Sequence, residues 1–140
     1  MGMDEPLLTI EGLTIKHKEN ELVKNVTLEI PRGRVVGLVG ESGSGKTLTA
    51  LSVPALLAPT LRITSGTITF HAGGTPVSLT NLDQRALNRV RGERIGMIFQ
   101  EPMTSLNPSI RCGKQAAETL RVHRGYSRKQ ARERILELFR

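Results

Sequence analysis

The 140-residue sequence predicts an α/β fold built around a phosphate-binding loop, and three observations carry that prediction. Residues Gly40, Glu41, Ser42, Gly43, Ser44, Gly45, Lys46 and Thr47 fit the pattern G-x-x-x-x-G-K-[ST]. An apolar run over residues 35–39 leads into the loop, and a helix-compatible stretch from Lys46 to Leu51 leaves it. A second apolar run, residues 95–99, repeats the pattern of a short buried strand ending in a loop.

The elements follow in chain order. Leu8 and Ile10, then Leu13 and Ile15, alternate with polar residues, and the shift of phase at Glu11 and Gly12 predicts a bulge. Residues 18–21 form a turn, after which Val26, Leu28 and Ile30 alternate in a second strand that ends at Pro31-Arg32-Gly33. These two strands precede the phosphate loop as an antiparallel pair, which must pack on something further to be stable. The helix behind the loop meets Pro54, whose ring clashes with the carbonyl of Ala50, so the helix ends or kinks there. Residues 63–70 resume the β pattern, and 72–76 are a turn rich in glycine. Asn81 and Asp83 are the candidate caps of a short helix running through Val90. Gln100 to Pro108 is a loop by its two prolines, and Gly113 to His123 is helical, stopped by Gly125. Ser127, with Gln130 three residues on, forms a capping box for a last helix with Ala131, Ile135 and Leu138 on one face.

Composition narrows the classes. No run of about 18 apolar residues exists, and the N-terminus carries acids where an export signal needs a basic and an apolar region. A single cysteine, Cys112, excludes an internal disulfide and suits a reducing compartment, so a cytoplasmic location is expected. The net charge of +7 is concentrated at the end: residues 111–140 hold nine Lys/Arg against three acids. No ladder of aromatics accompanies that charge, since Tyr126 and Phe139 stand alone, so a solvated helical face or an acidic protein partner is expected and nucleic acid is not.

The loop carries the chemistry. Glycines at 40, 43 and 45 let the backbone curl until its N–H groups converge, and the helix start adds N–H donors and a partial positive charge. Lys46 is placed to reach the outer phosphates of a nucleoside triphosphate, and the Thr47 hydroxyl to sit on Mg²⁺. The expected cofactors are ATP and Mg²⁺. A dinucleotide-binding loop does not fit: Leu48 stands where a third glycine belongs, and no acid occurs between Glu41 and Asp83 to hold a ribose.

The loop Gly40–Thr47, the segment from Ile98 through Phe99, Gln100, Glu101, Pro102, Met103, Thr104, Ser105, Leu106 and Asn107 to Pro108, and the strands before each resemble the ATP-binding subunits of ABC transporters. The second segment is similar to the Q-loop of the oligopeptide, dipeptide and nickel importer branch, and the resemblance covers essentially the whole chain. It implies the N-terminal part of one ABC-type nucleotide-binding domain. Residues 1–34 and 60–80 would form an antiparallel β subdomain, 35–57 and 92–100 core strands and the phosphate-loop helix, and 101–140 the Q-loop and the start of a helical subdomain. It also implies that Gln100 contacts Mg²⁺ and the attacking water, with a role in catalysis, and relays nucleotide state to membrane subunits. Position 17 departs from the family, where an aromatic stacks on adenine; His17 offers a smaller ring. Neither His71 nor His123 has metal-ligand spacing.

What the resemblance requires beyond these motifs is missing from the 140 residues. No Leu-Ser-Gly-Gly-Gln signature occurs, and no apolar strand ends in Asp-Glu. The only aspartates are Asp4, near the N-terminus, and Asp83, at a helix start. A truncated domain is therefore expected, one that folds poorly alone and does not hydrolyse ATP by itself, because phosphoryl transfer depends on charge placed around the metal. Two functions remain in view. One is the ATP-binding subunit of an importer for peptides or nickel. It would pair with a second ATP-binding subunit, in a homo- or heterodimer, and with transmembrane subunits at the inner face of the membrane. The other is a non-catalytic fragment that binds nucleotide weakly or not at all. An unrelated phosphate-loop kinase or GTPase is disfavoured by the Gln100 segment.

Overall fold

The computed structural model describes residues 6–71, 73–100 and 106–139, so the expected turn residue Ala72 and the Q-loop positions 101–105 lie outside the described residues. The chain divides between Leu87 and Asn88 into two compact units. The first is organised by a four-stranded antiparallel sheet in the order β2-β1-β3-β4. Its strands are β1 (Pro6–His17), β2 (Asn20–Pro31), β3 (Leu61–Phe70) and β4 (Val77–Ser78).

β1 is an inner strand, and its apolar positions are the core: Leu8, Ile10, Leu13 and Ile15 are buried, joined by Val23 of β2, Ile68 and Phe70 of β3, and Leu79 just after β4. The even-numbered pair and the odd-numbered pair share a buried fate only because the strand gains a residue between them. The pairing of β1 with β2 shifts register between Ile10 and Leu13, at the Glu11-Gly12 phase change seen in the sequence. Gly66 of β3 sits across from the bulge at φ 92°, where a Cβ would fall 2.6 Å from the carbonyl oxygens of Glu11 and Gly12. Glycine is the one residue that lets the third strand close on the bulge. His71, at the end of β3, donates its N–H to the Leu7 carbonyl at 2.8 Å and pairs its Nε2 with the Thr9 hydroxyl at 3.2 Å. The Arg32 guanidinium donates to the His71 carbonyl, so this histidine is a tie between strand ends.

Helix α1 (Lys46–Ser52) follows the phosphate loop and stops before Pro54, as the proline requires. The two short buried strands expected over 35–39 and 95–99 are not formed. Both stretches lack regular secondary structure, with Val35 100% and Val39 90% exposed in the first and Ile98 93% exposed in the second. Apolar, β-branched residues favour a strand only where neighbouring strands supply hydrogen bonds and a face to bury. Among the described residues no strand lies beside either stretch.

Helix α2 (Gln84–Glu93) crosses the division at residue 87. Of its two candidate caps, Asp83 serves: its Oδ1 accepts from the Ala86 N–H at 2.7 Å. The second unit continues with α3 (Cys112–Arg124) and α4 (Arg128–Leu138). α3 ends on Gly125 at φ 65°, and the Tyr126 N–H reaches back to the Leu120 carbonyl at 3.3 Å. α4 opens with the predicted capping box: Ser127 Oγ accepts from the Gln130 N–H at 3.3 Å, and Gln130 Oε1 from the Ser127 N–H at 2.9 Å. Ala131 is fully buried and Ile135 half-buried, but Leu138 is 61% exposed, so the expected apolar face is covered only over its first two positions. The His123 imidazole packs onto Gly92, where any side chain would collide with the ring.

Two substitutions test these supports. Gly66→Ala forces a left-handed alanine against two carbonyls and is expected to cost about 1–3 kcal/mol in urea unfolding followed through the sheet. Ser127→Ala removes half of the capping box and is expected to cost about 1 kcal/mol, read as lost helicity by circular dichroism.

Candidate phosphate-loop site

The loop between β2 and α1 is turned by glycine and seated on β2. Gly45, the residue before the helix, adopts φ 88° and leads the chain into α1 from a left-handed conformation. A Cβ there would lie 2.8 Å from Val23 Cγ2 and 3.0 Å from the Leu22 carbonyl oxygen. Gly45 is thus demanded twice, by its backbone angle and by the approach to the strand. The Ser44 N–H donates to the Glu41 carbonyl at 3.3 Å, closing the loop on itself, and the Thr49 N–H donates to the Gly45 carbonyl at 2.8 Å. The Thr49 hydroxyl reinforces that carbonyl at 3.0 Å, and the buried Ser52 hydroxyl donates to the Thr49 carbonyl at 2.6 Å. A helix whose first such bond is donated by residue 49 presents the preceding N–H groups to an outside acceptor.

Those groups face a cleft of about 230 Å³ lined by Leu22 and residues 43–48. The lining is small and polar apart from Leu22 and Leu48, and Thr47 is exposed on the first turn of α1. Lys46 folds back over the loop. Its Nζ donates to the Gly40 carbonyl at 2.8 Å, the Glu41 carbonyl at 2.6 Å and the Ser44 hydroxyl at 3.2 Å. All three ammonium protons are engaged, so the charge is held directly above the loop by its own backbone. This donor set suits a phosphate group: a fixed cation, a run of amides at a helix start, and no carboxylate on the lining. The Thr47 hydroxyl is the oxygen ligand the loop offers to a hard divalent ion. Among the described residues no group of three or more His, Cys, Asp or Glu side chains stands together as a metal site.

The structure places Gly40, Glu41, Ser42, Gly43, Ser44 and Gly45 in the loop and Lys46 and Thr47 on the first turn of α1. His17 ends β1, opposite Asn20 on β2 and Leu61 on β3, and does not line the cleft. Gln100 is exposed and belongs to the second unit. Leu22 and Val23 were not singled out from the sequence. They belong to no motif and act by backing the loop, a contact that only the folded hairpin creates.

The loop and its setting have the sequence pattern and the local geometry of the G-x-x-x-x-G-K-[ST] class. The family model described as ABC transporter matches residues 23–140, and the chain belongs to that family. It is 46% identical to a putative peptide import ATP-binding protein of Brucella ovis over 96% of this chain and 41% of the relative. It is 40% identical to a probable D,D-dipeptide transport ATP-binding protein of Escherichia coli over 97% of this chain and 42% of that protein. With the oligopeptide transport ATP-binding protein of Salmonella typhimurium it shares 43% identity over 83% of this chain and 33% of that protein. The chain therefore spans about two fifths of the length of the first of these relatives. No helix among the described residues is long and apolar enough to cross a membrane.

The seating of the loop on β2 has a checkable consequence. Gly45→Ala is expected to destabilise the chain by about 1–3 kcal/mol in urea unfolding. Adding Val23→Ala should not restore it, because the Leu22 carbonyl and the backbone angle remain. Full recovery in the double variant would show that the side-chain clash alone makes Gly45 necessary.

Proposed function

We propose that this chain is the nucleotide-holding part of an ATP-binding subunit of an ABC importer for peptides, with ATP and Mg²⁺ bound at residues 40–47. The observation that carries the reading is the Lys46 ammonium held over a glycine-turned loop at a helix start, in a chain of the ABC transporter family. The import role comes from the relatives, whose names specify peptide, dipeptide and oligopeptide transport. On this reading the domain divides as the resemblance implies. Residues 1–34 and 60–80 are the β subdomain, 35–57 carry the loop helix, 92–100 lead into the Q-loop and 101–140 begin the helical subdomain, while the strands expected over 35–39 and 95–99 are not formed.

Each residue then has a part. The amides of residues 43–48 wrap the phosphates, Lys46 exchanges one of its loop contacts for a phosphate oxygen, and Thr47 orients the metal through its hydroxyl. Such charge-assisted bonds are worth about 1.5–3 kcal/mol each. When bound, Mg²⁺ would supply positive charge that offsets the phosphates. Gln100 would contact the metal site and report nucleotide state, and His17 would offer its ring to the adenine. Partner chains are transmembrane subunits and a second ATP-binding subunit, which would hold the protein at the cytoplasmic face of the membrane.

These 140 residues bind ATP without turning it over, because no aspartate stands at the end of an apolar strand to complete the metal site. The second reading, a fragment with weak or no binding, draws on the exposed apolar stretch at 35–39 immediately before the loop. One set of measurements separates the two. A fluorescent ATP analogue should bind the chain in the presence of Mg²⁺, and Lys46→Ala should weaken it at least about tenfold, the loss of one charge-assisted contact. Binding that ignores Lys46 refutes the role given to the loop, and sustained Lys46-dependent phosphate release refutes the claim of no turnover.

A further inference from the structure

The phosphate-loop cleft takes one side chain from the sheet, and among the described residues that is Leu22 of β2. Its place follows from the pairing of the hairpin. Ile15 and Lys16 are consecutive on β1, yet their partners on β2 are Val23 and Glu21, so β2 gains a residue at 22 and nothing on β1 stands opposite it. Such a bulge re-aims the extra side chain out of the alternation of the strand. Both flanks are held: Val23 is buried in the core, and Lys16 Nζ lies 3.1 Å from Glu21 Oε1. The loop closes on the bulge from the other side, since a Cβ on Gly45 would stand 3.0 Å from the Leu22 carbonyl oxygen. The leucine is left 41% exposed, lining the cleft beside residues 43–48. An apolar side chain held open to a polar cleft gains free energy only when something covers it.

We propose that Leu22 is a specificity-determining residue of this cleft: it covers the sugar of a nucleoside triphosphate, so that the site prefers a nucleotide to a bare chain of phosphates. The proposal rests on the phosphate-loop reading above and adds a contact that the motif does not contain. The Lys46 ammonium is held at the start of the loop, over the Gly40 and Glu41 carbonyls, whereas Leu22 meets the loop at its end, at Gly45. A triphosphate whose outer group lies at the ammonium therefore brings its inner end toward Leu22. The first group beyond the inner phosphate is the C5′ methylene of the sugar, an apolar edge that a leucine can cover. His17 does not line the cleft, so its ring does not compete for this contact. Covering the equivalent of one methylene is worth about fourfold in affinity.

The test uses the 140-residue chain with Mg²⁺ and two ligands, ATP and inorganic tripolyphosphate, titrated by calorimetry into the parent, Leu22→Ala, Leu22→Met and Lys46→Ala. Leu22→Ala should lower ATP affinity about fourfold and leave tripolyphosphate affinity unchanged. Leu22→Met keeps the apolar volume and should bind ATP like the parent. GTP should lose as much as ATP in Leu22→Ala, since the sugar is common to both. In the parent bound to ATP, nuclear Overhauser contacts should join the Leu22 methyls to the sugar protons; their absence overturns the proposal without recourse to any variant. Equal losses of ATP and tripolyphosphate would mean that Leu22 only seats the loop, and they overturn the proposal, as does unchanged ATP affinity in Leu22→Ala. A loss for ATP with GTP spared moves the contact to the base and overturns the sugar contact. Lys46→Ala without effect on either ligand refutes the phosphate-loop reading itself, and the role of Leu22 with it.

Discussion

The close approach of Gly45 to β2 is the constraint on which the site depends. A hydrogen atom where every other residue has a carbon lets the loop rest against Val23 and the Leu22 carbonyl. From that contact the rest follows in order: the left-handed entry into α1, the Thr49 bonds that fix the first turn, and the Lys46 ammonium set over the carbonyls of Gly40 and Glu41. The hairpin is therefore more than a preceding domain. It is the surface against which the loop is shaped, through Val23 and the Leu22 carbonyl.

The same sheet shows how local sequence devices add up. The bulge at Glu11-Gly12 rotates β1 so that Leu8 and Ile10 share the core with Leu13 and Ile15. A bulge needs room on the neighbouring strand, and Gly66 supplies it. Around this frame, polar ties such as the Arg32 and His71 contacts join strand ends beside buried Leu8 and Phe70. At the helix termini the equivalent work is done by Asp83, by Gly125 and by the Ser127 and Gln130 box.

Features that depend on neighbours in sequence were legible beforehand. The hairpin strands, the bulge, the stop before Pro54, the helix ended by Gly125 and the capping box each rest on a few adjacent residues. So does the phosphate loop, whose glycine spacing is a local code. The stretches 35–39 and 95–99 were read as strands because their composition suits one, but a strand is completed by partners elsewhere in the chain. Among the described residues no strand stands beside either stretch. Leu138 failed for a similar reason: helical spacing names a face without naming what covers it. Leu22 and Val23 carried no signal, since each acts on a segment that only folding brings near.

The posture of Lys46 sets a threshold for whatever enters the cleft. Its ammonium is already solvated by two carbonyls and a hydroxyl of its own loop, so a small monoanion offers little that the backbone does not provide. A chain of linked phosphates differs: it meets the amides along residues 43–48 and the ammonium at once, and each contact raises the local concentration of the next. If the loop binds nucleotide as proposed, the lysine would discriminate by ligand length as much as by charge.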